Sequence, residues 1–202
     1  MPIQHRAEET HARILQAAES CFGKAGYEAA SVDMICKEAG VTKGAFYHHF
    51  PSKQALFLTM LDLWLGQLDQ AFVAARNSCQ TVPEALALMA AQSEMIFADR
   101  PSRLPLLIEF WNQATRDPTI WQATIEPYRR YHQFFAQMLR EGMTEGSLRP
   151  MDADLSARVL VAMAIGLILQ GLMDPTGDDW GKVTRDGIAA LLAGMVNPDF
   201  KP

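Results

Sequence analysis

The sequence at positions 40–53 reads Gly40-Val41-Thr42-Lys43-Gly44-Ala45-Phe46-Tyr47-His48-His49-Phe50-Pro51-Ser52-Lys53. Thr42 can cap a helix, because its hydroxyl can accept a hydrogen bond from an amide of the first turn. Pro51 ends the helix, since it disfavours helical geometry in the residue before it. The stretch therefore predicts a short helix of about two turns, from Lys43 to Phe50.

The two sides of this predicted helix differ in chemistry. At about 100° per residue, Phe46 and Phe50 lie on one face. The other face carries Lys43, Gly44, Tyr47 and His48. Gly44 costs roughly 1 kcal/mol of helix propensity relative to alanine, which makes sense if another backbone approaches closely. The pattern predicts a helix anchored from behind whose front meets a polar, anionic partner, and duplex DNA is the obvious one.

Two further helices are predicted before this stretch. Apolar residues at helical spacing predict a first helix from about Ala7 to Lys24, which Gly26 ends. Ser31 can cap a second helix, and Gly40 closes it. With the helix that follows Thr42, these elements form a helix-turn-helix supported by a first helix.

A set of ordered positions resembles a known family. The positions are Ile14, Leu15, Ala17, Ala18, Phe22, Gly26, Tyr27, Ser31, residues 39–44, Tyr47, His49, Phe50, Ser52 and Lys53. Over about the first quarter of the chain, without gaps, they resemble the DNA-binding domain of the tetracycline-repressor (TetR) family. The resemblance implies DNA contacts at Ser31, Thr42, Lys43, Gly44, Tyr47, His48 and Lys53.

These side chains offer chemistry that suits DNA. The Lys43 ammonium can bind a phosphate or the O6 and N7 atoms of guanine, and Tyr47 can bind a phosphate or contact a thymine methyl group. His48 can donate to a phosphate or a base edge. The hydroxyls at the helix starts and the Lys53 ammonium can add phosphate contacts. His49 is instead expected to pack inside the domain.

The net charge of −5 at first argues against a nucleic-acid partner. Acidic and basic residues balance within residues 1–53, however, so the whole excess lies in residues 54–202. No acidic residue occurs between Glu38 and Asp62, where two lysines and two histidines fall. The surface predicted to meet phosphate is therefore locally cationic.

The remainder of the chain is also predicted to be helical. Ser52 can cap a long fourth helix, and Thr81 and Glu84 form a capping box for a helix to about Ala98. Pro101 and Pro105 are expected to break the chain. Further helices are predicted at about 106–115, 120–143 with a kink at Pro127, 159–173 and 181–195. The predicted fold class is all-α: an N-terminal helix-turn-helix domain, residues 1–53, joined by a long helix to a C-terminal helical domain, residues 54–202.

Residues 159–173 are the most apolar segment, with Gln170 as the only polar side chain. A helix that is apolar all round must be buried all round, and 15 residues fall short of the ~20 that span a bilayer. We therefore expect no membrane partner and a homodimer, although a purely internal core helix is the alternative. The predicted interface comprises Leu155, Val159, Met163, Gly166, Gln170, Ile188, Leu191, Leu192 and Met195.

The resemblance implies that the acidic C-terminal half binds a small effector. The candidate residues are Trp64, Phe110, Trp111, Asn112, Tyr128, Tyr131, His132, Phe135 and Met163. They combine aromatic bulk with a few polar groups, which suits a lipophilic or aromatic molecule, although the same residues can be ordinary core. Effector binding would shift the dimer towards a spacing that no longer fits DNA, with the fourth helix as transmitter.

The sequence lacks the motifs of other classes of function. His48 and His49 are adjacent, so they point about 100° apart on a helix and cannot share a metal as an i, i+4 pair would. The sequence contains no glycine-rich phosphate loop and no nucleophile elbow, which predicts no catalysis, metal or other cofactor. Three scattered cysteines indicate reduced thiols in a cytoplasmic protein. The main prediction is a dimeric repressor of a palindromic operator; the alternatives are a helical ligand-binding or adaptor protein without DNA binding, and an activator.

Overall fold

The computed structural model describes the backbone of residues 2–98 and 103–200, and the side chains of residues 5–92, 106 and 108–200. Within these residues the chain is helical, which confirms the predicted all-α class. The helices are α1 (Pro2–Ala29), α2 (Val32–Ala39), α3 (Lys43–His49), α4 (Lys53–Ser78), α5 (Val82–Ala98), α6 (Arg103–Ala114), α7 (Pro118–Glu145), α8 (Ala153–Met173) and α9 (Trp180–Ala193).

The chain forms two compact units, and their limits differ from the predicted domains. The first unit comprises Met1–Gly66 and Pro101–Ala123, and the second comprises Gln67–Arg100 and Thr124–Pro202. The first unit is thus larger than residues 1–53, because α6 packs on α1. Its core includes a stack between Phe57 of α4 and Phe110 of α6, with 3.8 Å between ring centroids.

The helix-turn-helix has the boundaries that its sequence predicts. The Ser31 hydroxyl accepts a hydrogen bond from the amide of Met34, and Gly40 ends α2 in the left-handed conformation, with φ of 63°. Gly26 interrupts α1 with φ of 78°, although helical residues resume up to Ala29. The first helix begins at Pro2, earlier than the predicted Ala7.

One prediction made around the prolines needs correction. Pro105 lies in the first turn of α6, which begins at Arg103, whereas a break was expected at that proline. A proline is tolerated there, because the first amides of a helix have no acceptor within it. Pro101 lies outside the described residues. Pro127 falls inside α7, which continues through it to Glu145.

The second unit has its own apolar core, built around the amino-terminal part of α5. Thr81 and Glu84 form the predicted capping box: the Thr81 hydroxyl accepts from the Glu84 amide at 3.4 Å, and the Glu84 carboxylate accepts from the Thr81 amide at 3.2 Å. Within the unit α5 packs along α9, and α8 also contacts α9. The core contains Val82, Ala85, Leu86, Met89, Ala136, Met138, Leu139, Leu148, Ala153, Ala157, Leu160, Leu192 and Met195, among others.

One face of α8 remains uncovered in this unit. The side chains of this face point within about 80° of one another around the helix axis, at 100° per residue. We name this face the apolar stripe: Leu155, Val159, Ala162, Leu169 and Met173, all exposed. Gly166 lies on the same line, and a Cβ built there would meet no atom within 4 Å. The single protomer therefore leaves this face of α8 uncovered, and the predicted contact with a second subunit stays a prediction.

The length argument against a membrane also needs correction. The helix begins at Ala153 and has 21 residues, so it is long and apolar enough to cross a bilayer. The sequence analysis underestimated the length of this helix because Asp154 and Arg158 interrupt the apolar run but not the helix. Asp152 caps the helix by accepting hydrogen bonds from two amides. The length of α8 therefore does not decide whether lipid or protein covers the apolar stripe.

Candidate nucleic-acid interface

The helix α3 has one buried side and one exposed side, as its sequence predicts. Phe46 and Phe50 are buried, with exposed fractions of 0% and 2%. Tyr47 is 52% exposed. We name the exposed side the recognition face; it comprises Thr42, Lys43, Gly44, Tyr47 and His48, and every one of these residues is exposed. The residues that were predicted to contact DNA on α3 thus share one solvent-facing surface.

Buried aromatic and capping contacts hold α3 in place from behind. The Thr42 hydroxyl accepts a hydrogen bond from the Ala45 amide at 3.2 Å. The His11 ring of α1 stacks on Phe50, with 4.8 Å between centroids. The ring of Phe46 meets that of Tyr47 edge-on at 5.3 Å. These contacts leave the phenol of Tyr47 supported on one side and open on the other.

Packing inside the protein does not require glycine at position 44. A Cβ built on Gly44 would meet only the Thr42 hydroxyl oxygen, at 3.8 Å, which is an ordinary contact. The backbone of α3 is helical there, so no unusual conformation demands glycine either. A glycine costs helix stability, and neither packing nor backbone conformation within the described residues accounts for its use here.

The ammonium of Lys43 has an acidic neighbour that the sequence analysis missed. Its Nζ lies 2.7 Å from Oδ1 of Asp33 in the first turn of α2, and both side chains are more than half exposed. The hydrogen bond to Asp33 raises the pKa of Lys43 above its ordinary value. The acid-free window from Glu38 to Asp62 did not reveal this pair, because Asp33 precedes the window and reaches Lys43 only through the packing of α2 on α3.

The expectation that Lys53 binds phosphate is contradicted by its contacts. Its Nζ donates to the backbone carbonyls of Tyr27, Glu28 and Ala30, at 2.7, 3.3 and 3.0 Å. The same ammonium lies 4.3 Å from the centroid of the Tyr27 ring. All three of its donor positions are therefore occupied by the end of α1, and Lys53 ties α4 to that end.

Replacing Lys53 by methionine is expected to destabilise the protein by roughly 1–3 kcal/mol, because the carbonyls at the end of α1 lose a charged donor. Urea unfolding followed by circular dichroism measures this change. Lys24→Met is the matched control, since Lys24 is 75% exposed and its ion pair with Glu38 is long, at 3.9 Å. Equal stability of the two variants would contradict the structural role of Lys53.

His49 lies behind the recognition face, as predicted, and its environment is sensitive to charge. Its ring meets that of His11 edge-on at 5.9 Å. Burial lowers the pKa of His49 below the ordinary 6.5, and the neighbouring imidazoles of His48 and His11 lower it further. Below pH ~6.5 the unfolded chain therefore takes up a proton that the folded protein does not.

Stability is accordingly expected to fall as the pH drops from about 6.5 towards the folded pKa of His49, and to be insensitive to this residue above that range. Urea midpoints measured at about pH 7.5 and 5.5 test this, because His49→Gln should show a smaller loss than the wild type. A wild-type pH dependence in His49→Gln would refute the assignment.

The candidate effector residues are divided between the two compact units. Trp64, Phe110, Trp111 and Asn112 belong to the first unit, and Tyr128, Tyr131, His132, Phe135 and Met163 belong to the second. Phe110 is 2% exposed and stacks on Phe57, so it serves the core of its unit and is removed from the candidates. Asn112 is exposed.

Two candidates of the second unit, Tyr131 and Phe135 on α7, contact the Phe72 ring of α4. The ring of Phe72 meets that of Tyr131 edge-on at 5.8 Å and that of Phe135 at 5.4 Å. Burial and the hydrogen bond to Asp69 raise the pKa of the Tyr131 phenol. The Nε2 atom of His132 lies 3.1 Å from the carbonyl oxygen of Asp154.

The predicted interface residues also divide into two groups. Leu155 and Val159 are exposed on the apolar stripe, and Gln170 is exposed beside it. Ile188 and Leu191 are half-buried against the core of the second unit, and Met163 is half-buried on α8. Leu192 and Met195 are 5% and 8% exposed within that core, so the inclusion of these two residues in an interface is corrected.

Comparisons with known proteins cover both units. Residues 14–60 match the profile of bacterial regulatory proteins of the tetR family, and residues 84–195 match that of the C-terminal region of BetI-type transcriptional repressors. The chain is 30% identical over 199 residues to the HTH-type transcriptional regulator SrpR of Pseudomonas putida, covering 95% of this chain and 88% of that protein. It is 24% identical over 197 residues to UidR of Escherichia coli, covering 96% of each.

A solved structure shows the same architecture. The crystal structure of a transcriptional regulator from Saccharomonospora viridis, in complex with choline, superposes with a TM-score of 0.79 and 25% sequence identity. The alignment covers 94% of this chain and 99% of that one. The similarity in three dimensions thus extends from the helix-turn-helix to the C-terminal helices.

Proposed function

The chain belongs to the TetR family of bacterial transcriptional regulators, and from this premise we propose that it is a repressor that binds a palindromic operator as a homodimer and leaves it when a small effector binds. The observation that carries this proposal is the structure of α3, whose apolar back is buried while its cationic and hydroxylated front is exposed. A cytoplasmic location is proposed with it, since such a protein must reach chromosomal DNA.

The recognition face supplies the proposed contacts to DNA. We assign Lys43 and Tyr47 to base edges and neighbouring phosphates in the major groove, with His48 as a further donor. Gly44 allows the DNA backbone to approach α3. The hydroxyls of Ser31 and Thr42 already accept from amides of their own helices, and each keeps its O–H to donate to a phosphate.

The apolar stripe supports the proposed homodimer. It combines large exposed side chains, such as Leu155 at 59% and Met173 at 78%, with the open position of Gly166. An exposed apolar face of this length marks an interaction site on a soluble regulator. A second copy of α8, related by a two-fold axis, would cover the stripe and place two recognition helices at a fixed spacing, as a palindrome requires.

The proposed effector site lies among the remaining candidates. In the second unit these are Tyr128, Tyr131, His132, Phe135 and Met163. In the same unit, the Oε1 atom of Gln92 on α5 is buried and has no hydrogen-bond partner among the described residues. An unpaired buried acceptor is costly, and a ligand that donates to it would remove that cost. The choline complex of a relative supports a small molecule as effector.

We propose that α6 and α4 carry the effector signal to the recognition face. Within the first unit, Gln113 of α6 donates to the Glu28 carboxylate of α1 at 3.0 Å. Gln54 of α4 donates to Asp117, at the start of α7, at 2.9 Å. These hydrogen bonds connect α6 and the α6–α7 turn to the helices that position α3. A shift of α6 on effector binding would therefore alter the spacing of the two recognition helices.

A DNA-binding assay with the fragment upstream of its own gene tests the proposed function. The wild-type protein should bind this duplex, and a shuffled duplex of equal length should displace the fragment only poorly. The affinity should fall steeply as the salt concentration rises. Each phosphate contact contributes roughly 0.9 to the slope of log affinity against log salt. Affinity that is equal for both duplexes, or insensitive to salt, would overturn operator recognition.

A further inference from the structure

The ion pair between Asp33 and Lys43 places a carboxylate beside the recognition face. The distance between Lys43 Nζ and Asp33 Oδ1 is 2.7 Å, and the two side chains are 59% and 66% exposed. Neither side chain contributes to the buried core of the first unit. An exposed carboxylate close to the phosphates of a duplex opposes binding, because like charges repel. This acid therefore reduces the affinity of the surface on which it lies.

The geometry points to Asp33 as a residue that sets operator specificity by positioning Lys43. This inference rests on the proposed function. The carboxylate draws the long Lys43 side chain towards α2 and satisfies one of its three donors. The remaining two donors can bind a guanine edge. The ion pair partly neutralises the ammonium, so Lys43 attracts phosphates in general less strongly.

The balance of charges explains why such a device increases discrimination. Repulsion by the carboxylate lowers the affinity for every duplex by a similar factor, but in a non-specific complex the ion pair also keeps the Lys43 ammonium from forming a phosphate contact of its own. Operator binding also gains from contacts to base edges, which the carboxylate leaves intact. An exposed ion pair is weak, and Lys43 can exchange partners when a base edge offers two acceptors. Removing the acid should therefore favour the wrong duplex more than the right one.

Glu38 provides a matched control on the same helix. It is exposed, lies 3.9 Å from the Nζ atom of Lys24, and has no contact with Lys43 in the described ion pairs. Glu38→Gln removes the same charge from α2 as Asp33→Asn does. The two variants therefore separate the general effect of charge from the specific effect of the pair with Lys43.

The experiment measures affinities of full-length protein for the upstream fragment and for a shuffled duplex over a range of salt concentrations. Asp33→Asn should raise affinity for the shuffled duplex roughly tenfold and for the operator fragment clearly less, with a salt slope on the shuffled duplex steeper by about one phosphate. Asp33→Glu keeps a carboxylate and should therefore retain the wild-type ratio of the two affinities. Glu38→Gln should change both affinities by similar, smaller factors.

A double variant ties the effect to the pair. In a Lys43→Gln background, Asp33→Asn should no longer change the ratio between the two duplexes. An unchanged effect in that background, or identical behaviour of Asp33→Asn and Glu38→Gln, would overturn the role of Asp33 while leaving operator binding established. Loss of affinity for both duplexes with a lower unfolding temperature would assign Asp33 to helix stability alone. A wild-type protein that binds neither duplex would overturn the proposed function itself.

Discussion

Replacing Lys43 and Tyr47 together by alanine is expected to weaken operator binding roughly a thousandfold without unfolding the protein. Each direct base contact contributes about 1 kcal/mol or more, and two side chains on each of two protomers are lost, for a total of about 4 kcal/mol. The fold should survive, because both side chains are more than half exposed while Phe46 and Phe50 anchor the helix. Fluorescence anisotropy with the labelled upstream fragment measures the affinity.

The control for this variant is Lys182→Ala. Lys182 is 62% exposed and forms an ion pair of 3.1 Å with Asp186, so its setting on α9 closely resembles that of Lys43 on α3. Lys182→Ala should bind the fragment like the wild type. If the control and the double variant lost affinity equally, the effect would belong to total charge and the recognition face would lose its assigned role.

A charged residue on the apolar stripe is expected to separate the protomers. Val159→Asp places a carboxylate in the middle of the proposed interface, where Val159 is 45% exposed in the single protomer. A carboxylate buried in the interface without a partner is costly, so the dimer should dissociate. Analytical ultracentrifugation should give half the wild-type mass, and operator affinity should fall by about a hundredfold or more because the second half-site no longer binds in concert.

Val73→Asp is the matched control for the dimer prediction. Val73 lies on α4, in the second unit, and is 50% exposed. The same substitution there should leave the mass and the operator affinity unchanged. A Val159→Asp protein that remained a stable dimer with wild-type affinity would exclude the apolar stripe as the dimer interface.

The properties of α3 could be predicted from the sequence because they are local. Its caps, its end and the division between buried Phe46 and exposed Tyr47 follow from spacing within one short segment. The same is true of the Gly40 turn and of the capping box at Thr81. A helix boundary depends mainly on residues within a few positions, which a single sequence contains.

The failures share the opposite cause, since they depend on contacts between distant segments. Lys53 reads as a free cation in the sequence, yet carbonyls more than twenty positions earlier occupy its three donors. Asp33 pairs with Lys43 only because the helix-turn-helix brings α2 beside α3. Apolar periodicity on α9 gave no means of deciding whether Leu192 faces its own core or a second subunit.

The central claim is that the recognition face of α3 reads base edges in the major groove, and methylation interference tests it most directly. Dimethyl sulfate modifies guanine at N7 in the major groove and adenine at N3 in the minor groove. Methylated guanines at two symmetry-related positions of the upstream fragment should prevent binding by the wild-type protein, with little interference from methylated adenines. Interference confined to adenine N3, or absent from the major groove throughout, would contradict the account.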